Sequence, residues 1–204
     1  MSRIPGIHVE RFAPVYMADG PYYHDSRPPF TTADWPQITL STTSLMLWPS
    51  GGSPSSFGAG YWTPGKRMKI DVFGKMTTVA TPGNLTIEIR YGTTDNGGTI
   101  LATSLAYALS ANKTNISYHL QAWIASRLDV PGTSKGLFAW GKFEPDASST
   151  LILGANNPAM IPANTPAAVN VDLTAASAIN IQMKRSGSTA EVTTVQDLIV
   201  TSLN

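Results

Sequence analysis

The chain has 204 residues, enough for one domain with a sizeable core and an extension beyond it. Only 13% of the residues are charged and the formal net charge is +1, so no general electrostatic attraction to nucleic acid or to an anionic membrane is expected. The absence of cysteine excludes disulfides, thiolate catalysis and cysteine metal ligands, and no run of about 18 apolar residues predicts a membrane span.

Residues 1–37 differ in character from residues 38–204. Pro5, Pro14, Pro21, Pro28, Pro29 and Pro36 alternate with Phe12, Tyr16, Tyr22, Tyr23, Phe30 and Trp35. Neither a helix nor a central strand tolerates that proline density, while disordered segments are poor in aromatics. An extended N-terminal arm is predicted, with a reach of about 100 Å at roughly 3.3 Å per residue. Two readings of it stay open: the arm lies across its own domain, or its rings dock into a neighbouring subunit. Met1–Gly20 lacks the apolar core of a secretory signal, so synthesis in the cytosol is expected.

The folded body is expected over residues 38–204. Gln37–Trp48 is rich in β-formers and predicts its first strand, and Pro49–Gly60 reads as an irregular loop. In Arg67–Val72, Met68, Ile70 and Val72 point one way and Arg67, Lys69 and Asp71 the other, the period of a half-buried strand that Gly74 then interrupts. Asn84–Tyr91 is the clearest case, with Leu85, Ile87, Ile89 and Tyr91 opposed to Thr86, Glu88 and Arg90. Thr99–Leu109 is open between a strand and a short helix. Ser117–Leu128 alternates through Tyr118, Leu120, Ala122, Ile124 and Leu128, with His119, Gln121, Trp123 and Arg127 opposite. Lys135–Phe143 carries Phe138 and Trp140 on one face and Leu137, Ala139 and Phe143 on the other, so covering of both faces is expected. Leu173–Ala178 suggests a helical turn, and Ala178–Lys184 and Glu191–Leu203 complete the strands. Turn residues at 81–84, 94–98, 130–132 and 186–188 punctuate the series. About eight strands without crossover helices predict an all-β fold, a single jelly-roll-like antiparallel β-sandwich.

The chemistry of catalysis is sparse in this pattern. His8, His24 and His119 are scattered and match no metal-ligand spacing. No Gly-x-Ser-x-Gly elbow, phosphate-binding loop or nucleotide fingerprint occurs. Glu144 and Asp146 flank Pro145 and read as turn acids rather than as a glycosidase pair. Asp95-Asn96-Gly97-Gly98 lacks the further ligands of a calcium loop and reads as a hairpin turn. Three Asn-x-Ser/Thr triplets, beginning at Asn84, Asn112 and Asn115, carry no weight without a secretory signal. No catalytic residue, cofactor or metal ligand is therefore assigned. Trp62, Trp123, Phe138 and Trp140 are the candidates for a subunit interface or for stacking on a glycan.

The run Gly60-Tyr61-Trp62-Thr63-Pro64-Gly65-Lys66, then Lys69–Lys75 ending in Gly74-Lys75, then Thr81-Pro82-Gly83 leading into a strand that ends in Tyr91-Gly92, resembles structural proteins of tailed-bacteriophage virions. Leu101-Ala102, Trp123 with Arg127, Gly136–Gly141 and the final Thr-rich strand extend the resemblance over roughly residues 57–203. The resemblance implies a jelly-roll-like head decoration or minor capsid protein, trimeric, bound to the major capsid protein on the virion surface. It implies no enzyme, no nucleic acid and no membrane. The arm is not matched by that group, and its six aromatic residues are expected to serve as partner contacts. A tail or fibre component that recognises a host glycan is the alternative.

Overall fold

The computed structural model describes residues 23–25, 37–47, 56–127, 136–148, 150–153, 158–187 and 189–203. Among them no residue is helical, and the strands in chain order are β1 (Tyr23–Asp25), β2 (Ile38–Thr39), β3 (Leu45–Met46), β4 (Ser56–Phe57), β5 (Arg67–Thr77), β6 (Asn84–Tyr91), β7 (Thr99–Thr103), β8 (Tyr107–Ala108), β9 (Ile116–Arg127), β10 (Gly136–Pro145), β11 (Ala159–Ile161), β12 (Ala168–Asn170), β13 (Ser177–Arg185) and β14 (Val192–Ser202). They form two antiparallel sheets. The larger, of eight strands, runs β1, β14, β5, β9, β10, β11, with β2 also beside β14 and β12 beside β10. The smaller, of six, runs β3, β13, β6, β7, with β4 also on β13 and β8 on β6. β6–β7 and β9–β10 are hairpins within a sheet, whereas the chain changes sheet after β2, β4, β5, β8, β12 and β13. Repeated crossing between two antiparallel layers makes the fold a jelly-roll-like β-sandwich.

The alternation read from the sequence is what closes the sandwich. Met68, Ile70 and Val72 of β5, Leu120, Ala122 and Ile124 of β9, Leu137 and Phe143 of β10, and Val195, Leu198 and Val200 of β14 are all fully buried. They meet Leu85, Ile87 and Ile89 of β6 and Ile179, Ile181 and Met183 of β13, equally buried. Each large aliphatic side chain so placed stabilises the fold by about 1.5–3 kcal/mol relative to exposure. Short strands cover three of the long edges: β1 and β2 on β14, β11 and β12 on β10, and β3 and β4 on β13. Capping of this kind blunts edge-to-edge pairing with other chains.

Three expectations need correction, and one open reading is decided. Gly74 does not interrupt β5, which runs on to Thr77. A Cβ at Gly74 would lie 2.5 Å from the Tyr118 hydroxyl and 2.7 Å from the Thr194 carbonyl, so the glycine admits the Tyr118 ring across the strand pair. Opposite it, β14 bulges between Val195 and Asp197. The stretch 37–48 is not one strand: β2 joins the larger sheet and β3 the smaller, with a bend at Ser41–Thr43 where Ser41 Oγ accepts the Thr43 N–H. Polar side chains there compete for backbone groups and break an otherwise β-prone run. Residues 99–109 hold two short strands and no helix. At 173–178 there is no helical turn; Asp172 Oδ1 accepts the Thr174 N–H and hydroxyl, an Asx turn leading into β13.

The smaller sheet differs from a half-solvated strand pattern in one more way. Glu88 and Arg90, placed outward by the alternation, are 1% and 6% exposed. The 92–98 turn folds back over them: Arg90 Nη1 donates to the carbonyls of Asn96 and Gly97, Gln182 bonds Thr94 and Asn96, and Asp95 Oδ1 accepts the Met46 N–H. The loop read as a hairpin turn is one, with Asn96 and Gly98 at positive φ, and it also roofs this face.

Candidate functional site

The outer face of the larger sheet is different from that roofed surface. Its register sets the outward side chains in rows across the strands. Lys69, Trp123 and Trp140 form one row, Asp71, Gln121 and Lys142 the next, and Phe73, His119 and Glu144 a third. Phe138 stands one row beyond Trp140, beside Ala125 and Arg67. Each strand contributes every second residue, so the sheet displays them in rows fixed by the strand register.

Trp123 and Trp140 face each other across β9 and β10 with ring centroids 6.2 Å apart and planes within 10°. Phe138 tilts against Trp140 at 5.3 Å. Cations frame the rings: Lys69 Nζ lies 5.8 Å from the Trp123 ring and Arg127 Cζ lies 4.4 Å from that of Phe138. All three aromatic side chains are half-buried, so their faces are neither absorbed into a core nor fully solvated.

Beside the rings Asp71 gathers three donors. Its Oδ1 accepts from Gln121 Nε2 at 2.7 Å and pairs with His119 Nε2 at 2.9 Å, and its Oδ2 lies 2.9 Å from Lys69 Nζ. Burial alone would push the Asp71 carboxyl up, but hydrogen bonds from Gln121, Lys69 and His119 together outweigh it and hold the group below the usual carboxylate range. The His119 ring stacks on Phe73 at 4.3 Å, which fixes its orientation from the other side. The cluster stiffens the middle of the face by pinning Lys69 next to Trp123.

The structure brings Trp123, Phe138 and Trp140 onto one surface but sends Trp62 elsewhere. Trp62 is 1% exposed and lies in the core, edge-on to Phe57 at 5.3 Å and to Tyr61 at 5.2 Å. Buried against these two rings, it is a packing residue. Glu144 and Asp146 do not share a site: Glu144 pairs with Lys142 at 2.9 Å, and Asp146 accepts the Ser148 N–H and hydroxyl in a turn. The side chains of the arm candidates Phe12, Tyr16, Tyr22, Tyr23, Phe30 and Trp35 lie outside the described residues, as do those of His8 and His24. The backbone of residues 23–25 is described, and it pairs with the edge of β14. Lys69, Asp71, His119 and Gln121 were legible as residues of the opposite face, but their convergence depends on register, which a period of two does not specify.

Comparison with protein-family models, curated proteins and solved structures returned no match for this chain.

Proposed function

We propose that the protein is a non-enzymatic structural component of a bacteriophage virion, a decoration protein that binds the assembled head and stabilises it, with the outer face of the larger sheet as its contact surface. The observation that carries this reading is the half-buried cluster of Trp123, Trp140 and Phe138 on the sheet face, framed by Lys69, Arg127 and Lys142. Aromatic anchors of this kind, with a polar rim, are the composition of interface hot spots. The resemblance of residues 57–203 to virion proteins supplies the partner, the major capsid protein. A ligand that binds only the assembled shell stabilises it by RT ln(1 + [L]/Kd), and a trimer multiplies weak contacts through avidity. The proline-rich arm adds its own aromatic contacts.

The test is occupancy on purified heads stripped of this protein. Wild type is expected to rebind, the Trp123→Ala, Trp140→Ala double variant to lose at least tenfold in affinity, and a chain lacking residues 1–36 to stay folded yet fail to join the particle. Normal occupancy by the double variant would remove the sheet face from the reading, and normal occupancy by the truncated chain would remove the arm. A second reading, a tail or fibre module that binds a host glycan, is favoured by the parallel indoles, whose flat faces suit the apolar side of a sugar ring.

A further inference from the structure

At one corner of the outer face, where β9 and β10 leave the aromatic row, the surface drops into an open cleft of about 720 Å³ bordered by Pro64, Gly65, Arg67, Arg127, Phe138 and Trp140. Its floor is aromatic, with Phe138 and Trp140 centroids 5.3 Å apart. Its rim is cationic: among the described residues two guanidiniums border it, and no Asp or Glu does. Arg127 Cζ rests over the Phe138 ring at 4.4 Å, and a guanidinium is the side chain whose N–H groups bind a carboxylate as a fork. Among the described residues no carboxylate pairs with Arg127. The opposite wall is held by the backbone, since Gly65 N donates to the Ser126 carbonyl at 3.0 Å and Ser126 N donates to the Lys66 carbonyl at 2.8 Å. Gly65 turns the chain there at φ +81°, a conformation a side chain would strain. The cleft is thus preformed.

We propose that this cleft binds a carboxylated pyranose, a uronic-acid unit of an acidic polysaccharide. This names the sugar class of the glycan reading, on which it rests. The apolar face of the sugar ring stacks on Trp140, and the carboxylate meets Arg127, which Phe138 supports from beneath, with Arg67 on the same rim. The volume argues for a sugar unit over a protein partner. It falls within the roughly 300–1,000 Å³ of small-ligand sites, whereas a stable protein interface needs a continuous patch burying about 1,200 Å² or more in total. The charge argues for an acid over a neutral sugar, because charge-assisted hydrogen bonds to a guanidinium are about twice as strong as neutral ones.

The experiment titrates the full chain with tetragalacturonate, with its fully methyl-esterified and therefore neutral counterpart, and with a tetraglutamate peptide, following tryptophan fluorescence and calorimetry. Tetragalacturonate is expected to bind at least about tenfold more tightly than the ester or the peptide. Arg127→Gln should abolish that preference, Arg127→Lys should restore part of it, and Trp140→Ala should remove binding of both sugars, with unchanged far-UV circular dichroism throughout. Equal binding of acid and ester, lost in Trp140→Ala, would overturn the acidic-sugar inference and leave the glycan reading standing. Binding of neither sugar at millimolar concentration would overturn both. Peptide binding as tight as the sugar acid's, or an unchanged preference in Arg127→Gln, would also overturn the inference.

Discussion

Replacing Glu88 by glutamine isolates the buried charge cluster of the smaller sheet. The carboxylate accepts from Ser44 Oγ at 2.6 Å, from Arg90 Nε at 2.7 Å and from Lys184 Nζ at 2.7 Å. Glutamine keeps the volume, but it removes the charge facing Arg90 and turns an NH2 group toward donors. Loss of one partner from a buried pair costs about 3–5 kcal/mol. Two features place this site at the low end, about 3 kcal/mol. Arg90 Nη1 retains the Asn96 and Gly97 carbonyls at 3.0 and 3.2 Å, and Lys184, 35% exposed, is free to hydrate. For a chain of this length that corresponds to a fall in Tm of about 6–12 °C. Urea unfolding followed by far-UV circular dichroism from pH 7 to pH 3 measures it. Burial alone would raise the Glu88 carboxyl, but hydrogen bonds from Lys184, Ser44 and Arg90 outweigh it and hold the group below its ordinary 4.5. A folded-state value below the unfolded one stabilises fully above the unfolded value, and that stability is lost as pH falls through the folded value. The gap between wild type and Glu88→Gln should therefore be constant near neutrality and narrow below about pH 4.5. A loss under about 1 kcal/mol at pH 7, or an undiminished gap at pH 3, would refute the reasoning.

Gly74→Ala should cost about 1–3 kcal/mol in the same assay, because the new methyl meets the Tyr118 ring on one side and the Thr194 backbone on the other; a neutral result would mean that the strand pair yields there. Trp62→Ala should cost about 3–5 kcal/mol and Trp140→Ala about 1 kcal/mol, the difference between a core ring and a surface ring. Comparable losses would contradict the core placement of Trp62. Burial pushes the Tyr118 hydroxyl up to about 12, with its bond to Thr193 opposing. Stability linked to it is full below the ordinary value of 10 and is lost as pH rises toward 12, so alkaline unfolding should shift to higher pH in Tyr118→Phe. Spectrophotometric titration that shows every tyrosine ionising near 10 in the folded protein would contradict this.

Much of the fold is legible in the sequence because the inward residues of β5, β6 and β9 recur with a period of two, opposed mostly by polar ones, and turn residues separate the strands. The misreadings arise where a local rule meets a tertiary neighbour. Gly74 reads as an interruption, yet it is where an aromatic ring crosses the strand. Thr39–Ser44 reads as continuous, but hydroxyl groups bend it between sheets. The alternation that places Glu88 outward does not show that the 92–98 turn roofs it.

The sequence by itself determined the class of the protein: a low-charge, cysteine-free chain whose period-two pattern demands sheets with one face in a shared core, preceded by a proline-rich arm. It also determined which face the residues of the regular long strands take, because successive side chains of a strand must point to opposite sides, a rule that the bulge in β14 breaks. Only the tertiary structure decided which strands became neighbours and in what register. Those choices set Trp123 beside Trp140, gathered three donors on Asp71, buried Trp62 and put Arg67 and Arg127 at one cleft. The reason is physical: a period of two specifies a side, while the partner across the strand is selected by the packing of the whole sandwich.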